Sequence, residues 1–306
     1  SSDVCSSDLW WKAKNKRGDL ISMIELTYIL FLVILALIWL IFASIHDVKT
    51  TEVPDWLNFS LIAFALGFRF FYSLFVIGNF NFFFQGLIGL GIFFVLGNLF
   101  YYGRMFAGGD AKLMIALGTI LPFSFSLIEN LKLFGIFIFI FFLIASLFGI
   151  FTSVYFAIVN KTRFQKEFVK IYQKNKKISL VILALALVVM ILGLISQETL
   201  LILLGIFIFL SPLLFVFAKS VDEACMVRLV DSSKLMEGDW LYKSISVGDK
   251  KILAKWDGLS KQEIKLLQKH RKSVWIKKGV PFVPVFLISF VIFLILLEFF
   301  KVQSLF

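Results

Sequence analysis

The chain has 306 residues, 60% of them hydrophobic, with 39 phenylalanines and a mean hydropathy of +0.93. No water-soluble domain buries that much apolar surface, so the composition excludes a soluble globular protein and describes a polytopic membrane protein. The net charge of +11 points to cytoplasmic loops and anionic headgroups before it points to nucleic acid.

Residues 1–22 open with "SSDVCSSDL" and read as a non-native extension ahead of Met23, so they are set aside from the functional reading. A helix needs roughly 20 mostly apolar residues to cross the hydrocarbon. About eight stretches qualify: 24–45, 56–77, 82–102, 110–128, 133–159, 178–196, 199–218 and 280–300. The fourth is interrupted by Pro122 and carries Asp110 at its start. The expected fold is all-α and polytopic, with about eight transmembrane helices and a small α+β cytoplasmic insert before the last of them. Residues 23–160 would form the membrane core of spans one to five, and 161–177 a basic cytoplasmic loop. An extra pair of spans (178–218), the α+β insert (219–279) and the last span with the C-terminus (280–306) follow.

Charge sets the expected orientation. The link 160–177 carries Lys161, Arg163, Lys166, Lys170, Lys174, Lys176 and Lys177 against Glu167, which places it inside. Alternating the spans from there puts 46–55, 103–109 and 219–279 on the same side. The opposite segments hold Glu129, Lys132, Glu198 and Lys301, close to balance, while residues 1–22 would also lie there and disagree, with Lys12, Lys14, Lys16 and Arg17.

Within the insert, "DWLYKSISV" and "KKILAKW" read as two strands joined by a turn at Gly248-Asp249. "GLSKQEIKLLQKHRK" reads as a helix, with Ser260 as N-cap and Glu263 completing a capping box. "SVWIKKG" then leads back to the membrane. The insert holds 14 Lys and Arg against 8 Asp and Glu, a net of +6 that suits a face held against anionic lipid.

Two cysteines, Cys5 and Cys225, cannot build a Cys-x-x-Cys site, and His46 and His270 form no H-E-x-x-H. No G-x-S-x-G elbow is present. No metal and no cofactor are expected.

The chemistry concentrates on two aspartates. Asp47 lies in "FASIHDVKTTEVPDWL", at the cytoplasmic end of the first span, and Asp110 in "RMFAGGDAKLMIAL", at the cytoplasmic start of the fourth. A topology derived from lysines and arginines alone thus sets both carboxyls at one depth on one side. Two carboxyls brought close share a proton, so one can activate water while the other protonates a carbonyl or leaving group. Helix ends favour negative charge at N-termini, so Asp110 is the expected ionised base and Asp47 the proton holder. Lys49 and Lys112, each two residues after its aspartate, would blur that difference. Gly108 and Gly109 would let the backbone turn sharply and admit an extended substrate. The competing reading makes Asp110 a simple helix cap.

Other residues have plainer roles. Pro54 and Asp55 suit a helix start, and Glu52 a solvated loop. His46 is expected to be a bystander, and Arg69 to snorkel to the outer interface. Gly86, Gly89, Gly91 and Gly97 would allow close helix packing. The Phe-rich runs 137–142 and 290–300 would face lipid.

These segments resemble a family. "AGGDAKLMIALG" is similar to the G-x-G-D-x-K-L segment of the type IV prepilin peptidases, and "HDVKTTEVPDWLN" to the segment around their first catalytic aspartate. The late insert followed by "KKGVPFVPVFLI" resembles the archaeal preflagellin and prepilin peptidase branch. The resemblance implies that Asp47 and Asp110 are a catalytic dyad cleaving the short basic leader from pilin-like or archaellin precursors on the cytoplasmic side of the cell membrane. Gly108, Gly109, Lys112, Lys49, Pro54 and Asp55 would support the motifs or substrate. Ala107 stands where the motif has its first glycine, which affects turn geometry more than chemistry. The paired Cys-x-x-Cys motifs of bacterial relatives have no counterpart, so no N-methyltransferase activity is implied. The pair of spans at 178–218 exceeds what the archaeal branch implies.

Two other readings compete. A presenilin-type intramembrane protease shares G-x-G-D, but it would carry Tyr-Asp within a span and Pro-Ala-Leu, where this chain has His-Asp at a span's edge and "PFVP". A transporter or proton relay would set its acids near mid-membrane, between broken helices.

Overall fold

The computed structural model describes the backbone of residues 3–247, 250–255, 258–270 and 273–303, and side chains over 27–247, 251–255, 258–270 and 273–298. In chain order the elements begin with α1 (Asp3–Thr50), α2 (Asp55–Tyr72), a π-helical turn (Ser73–Ile77), α3 (Asn81–Tyr102), α4 (Gly108–Leu117) and α5 (Leu127–Val159). Then follow α6 (Lys161–Ser196), α7 (Thr199–Cys225), β1 (Val227–Asp231), β2 (Trp240–Leu241), β3 (Ile245–Val247) and β4 (Lys250–Ile252). The chain closes with α8 (Lys261–His270), β5 (Ser273–Lys277) and α9 (Val283–Gln303). It divides into two compact units, Ser1–Ser146 with Val280–Phe306, and Leu147–Gly279.

Among the described residues, six helical stretches are long and apolar enough to cross a membrane: Thr27–Thr50, Asp55–Ile77, Asn81–Tyr102, Leu127–Val159, Lys161–Ser196 and Thr199–Cys225. Over its described side chains α9 adds a further apolar stretch, Val283–Glu298. The expected count of about eight is therefore not confirmed. The stretch 110–128 is no span at all: α4 stops at Leu117 and irregular backbone carries the chain to α5. Gly118 ends the helix, and Pro122 lacks the N–H needed to resume it.

In the first unit, Leu32, Ala36, Leu40 and Ala43 give α1 a buried stripe at helical spacing. Phe93, Phe137, Phe141, Phe286, Phe290 and Phe293 are fully buried. The two Phe-rich runs therefore do not simply face lipid: Phe139 is exposed, but its neighbours build the core. Gly89 and Gly97 let α3 lie directly on α4. A Cβ on Gly89 would strike the Gly118 carbonyl oxygen, and one on Gly97 would sit 2.9 Å from that of Ala111. Gly91 has open space instead.

Arg69 departs from expectation. It is fully buried rather than snorkelling, and donates to the carbonyl oxygens of Thr119, Phe82, Ile120 and Pro122 at 2.6–3.2 Å. The carbonyls left unpaired where α4 stops supply most of these acceptors.

In the second unit, α6 and α7 pack as a hairpin that reverses at Gln197 in the left-handed region (φ 56). The basic stretch 161–177, expected as a loop, is the first half of α6. It holds no glycine or proline and is rich in Lys and Gln, so nothing stops the helix. The sheet β1-β5-β2 is antiparallel throughout, and β3 pairs with β4 in a separate hairpin. The expected strand "DWLYKSISV" is split into β2 and β3, and the expected turn at Gly248-Asp249 lies outside the described residues. "SVWIKKG" supplies β5, the central strand. Leu235, Leu241, Ile252, Leu267, Val274 and Ile276 are part of its apolar core. The capping box forms as expected: the Ser260 N–H donates to Glu263 Oε2 at 2.9 Å, and the Glu263 N–H to Ser260 Oγ at 3.4 Å.

Candidate active site

The last turn of α1 carries Asp47, only 5% exposed. Its backbone carbonyl accepts the Thr51 N–H at 2.7 Å, and Thr51 takes a positive φ of 58° that turns the chain toward α2. Pro54 is the N-cap of α2 and Asp55 its first residue. The segment "HDVKTTEVPD" is thus a tight turn between two apolar helices. His46 secures it, with Nδ1 2.9 Å from the Glu52 carbonyl oxygen. This is a structural role in the turn.

Asp110 lies in the first turn of α4, whose N-cap is Ala107. Its carboxylate accepts the backbone N–H of Ala107, the reciprocal half of a capping box. Ala107 has φ −71° and ψ 163°, ordinary extended backbone. Replacing the motif's first glycine by alanine therefore introduces no strain there. The glycine that matters is Gly109: a Cβ there would lie 3.2 Å from Val53 Cβ, whereas one on Gly108 would meet nothing closer than 3.8 Å. Gly109 lets the start of α4 rest against the turn that follows Asp47.

Asp47 and Asp110 come within reach of each other's charge. Asp110 is partly exposed by surface area, yet densely surrounded. Burial pushes its carboxyl up to about 7, and the negative charge of Asp47 pushes the same way.

The remaining expected site residues sit nearby but apart from the carboxyl pair. Lys112 Nζ is 2.5 Å from Asp55 Oδ1, with the side chains 41% and 59% exposed. This pair bridges α4 and α2, and its exposure limits it to about 1 kcal/mol or less. Lys49 is exposed on α1. Among the described residues, no group of three or more His, Cys, Asp and Glu could hold a metal ion.

The sequence reading missed the contribution of α9. Asp47 Oδ2 accepts the Val283 N–H at 2.9 Å, and the Phe282 N–H also donates to the carboxylate. Phe282 and Phe286 pack on Phe106, just before the glycine pair, with ring centroids 6.0 and 5.9 Å away. The start of α9 therefore touches both aspartate-bearing segments. The string "VPFVP" was visible, but nothing in its spacing shows which carboxylate it would meet. Ser44, one helical turn before Asp47, and Asn58 on α2 are also buried, with side-chain polar atoms unpaired among the described residues. No motif marked either.

The fold defines a multi-pass membrane protein in which the start of α9 donates to Asp47 on α1, and Asp110 on α4 feels the charge of Asp47. Residues 34–154, which carry both aspartates, match the model of the type IV leader peptidase family. The chain is also 33% identical over 89 residues to a preflagellin peptidase of Methanocaldococcus jannaschii, across 29% of this chain and 37% of that protein. These two matches bear out the resemblance to the prepilin and preflagellin peptidases. The match covers just over a third of that relative's length. No solved structure matches the chain.

Proposed function

We propose that the chain is a membrane-embedded aspartyl endopeptidase. It removes the short basic leader from type IV pilin-like or archaellin precursors at the cytoplasmic face of the cell membrane. The observation that carries this reading is the pairing of Asp47 with Asp110 inside the stretch matched to the leader peptidase family.

One carboxylate takes a proton from water as the water oxygen attacks the scissile carbonyl carbon. The protonated carboxyl gives its proton to the carbonyl oxygen. Collapse of the tetrahedral adduct breaks the C–N bond, and the amine leaves with the proton taken from water. No methyl transfer is expected.

The test is cleavage of a panel of pilin-like and archaellin precursors in membranes holding wild type, Asp47→Asn or Asp110→Asn. Cleavage by wild type and its loss in both folded, inserted variants is the expected result. Near-normal cleavage by either variant would make that aspartate structural.

A further inference from the structure

Asp47 lies at the C-terminal end of its own helix, where the macrodipole disfavours negative charge. Left there alone and 5% exposed, its carboxylate would be the harder of the two to ionise. The tertiary structure changes its surroundings. At the start of α9 two successive backbone N–H groups, from Phe282 just before the helix and Val283 at its first position, donate to the carboxylate. Free N–H groups at a helix start carry partial positive charge and need acceptors. Among the described residues, Asp110 receives one such bond, from Ala107, the N-cap of its own helix.

The donors are held firmly. Val283, Val285, Phe286 and Phe290 are all 0% exposed, and Phe286 packs on Phe141 with centroids 4.6 Å apart. The residues of the α9 entrance, Val280, Pro281, Phe282 and Val283, carry no titratable group. The titratable groups close to Asp47 are His46 on its own helix and Asp110 on α4.

We propose that the first turn of α9 is the positioning element that keeps Asp47 ionised, making Asp47 the general base and Asp110 the proton-bearing acid. This rests on the peptidase reading and reverses the order expected from the dipoles of α1 and α4 alone. In the cycle, Asp47 takes the proton of the attacking water and passes it to the leaving amine. Asp110 protonates the scissile carbonyl oxygen and recovers its proton when the adduct collapses. The protein then ends in its starting protonation state.

Val283→Pro tests this directly. Proline fits the first helical position and matches valine in bulk, but it has no N–H to give. Val283→Ala keeps the N–H and controls for packing. Loss of the donor makes Asp47 harder to ionise, so the acid limb of kcat/KM for precursor cleavage should move up by about one pH unit in Val283→Pro. The limb should stay in place in Val283→Ala. The second readout needs no activity. In the full chain in detergent, the 13C-carboxyl resonance of Asp47, assigned by its loss in Asp47→Asn, should titrate about one unit higher in Val283→Pro than in wild type. Superposed titrations of wild type and Val283→Pro, or equal shifts in both variants, would overturn the proposal. A shifted resonance in a protein that cleaves no precursor would leave the α9 contact intact and remove the peptidase reading instead.

Discussion

Arg69 Nη2 donates to the carbonyl oxygen of Pro122 at 2.6 Å. The guanidinium is fully buried and binds the end of α4 into the core through backbone oxygens, with the Phe82 ring 4.3 Å beneath it. Its room comes from Gly86, where a Cβ would sit 2.5 Å from Arg69 Cδ. Arg69→Met should cost about 3 kcal/mol, because several buried carbonyls lose a charged donor together. Arg69→Lys should recover little of this, since an ammonium cannot reproduce the planar fork. Thermal midpoints in detergent decide the matter; a midpoint within two degrees of wild type for Arg69→Met would count against the arrangement.

Gly109 and Gly108 should separate cleanly. Gly109→Ala pushes α4 away from Val53, and a small displacement of a catalytic carboxyl is enough to lower kcat by about tenfold or more. Gly108→Ala, with nothing closer than 3.8 Å, should stay within about twofold. Single-turnover cleavage of one precursor by both variants measures the difference. Equal losses would mean that backbone freedom, rather than the Val53 contact, is what the glycine pair supplies.

Asp110, pushed up to about 7, gives stability a definite pH dependence. An unfolded carboxyl titrates near 3.9, so between about 4 and 7 the folded state holds this proton more tightly than the unfolded state. Stability should therefore fall as pH rises through that window and level off above it. The loss is up to about 4 kcal/mol, reduced by the partial exposure of the group. Asp110→Asn should remove it. The variant should be more stable than wild type at pH 8 and indistinguishable from it near pH 4. Parallel melting curves across that range would show that Asp110 is not held protonated.

The capping box of α8 is open to test in the intact chain. The Ser260 N–H holds the Glu263 carboxyl below its usual range. Its support for α8 is thus present at neutral pH and lost as pH falls through that lowered value. Ser260→Ala should loosen the helix by about 1 kcal/mol. Amide exchange at Ile264 and Leu267 should quicken by about fivefold, unless global opening already governs it.

Some of this was readable residue by residue. The long apolar runs, the two aspartates beside their glycine and proline turns, and the Ser260–Glu263 box are local patterns that need only neighbours a few positions away. The fourth span failed as a reading because hydropathy registers Leu113, Ile115, Leu117, Ile120 and Leu121 without weighing Gly118 and Pro122 between and beyond them. The basic stretch 161–177 reads as a loop because its charge pattern speaks of sidedness, yet charge alone does not stop a helix.

Hydrophobicity and charge act locally, so residue order is enough to define a membrane protein with two acidic residues at the mouths of apolar segments. What surrounds those acids depends on how distant segments pack. The Val283 N–H reaches Asp47 across 236 positions, and Arg69 meets carbonyl oxygens some 50 residues further along the chain. Backbone donors and acceptors are common to nearly every residue, so no side-chain pattern records which of them will be left unpaired at a helix end and brought against a buried charge.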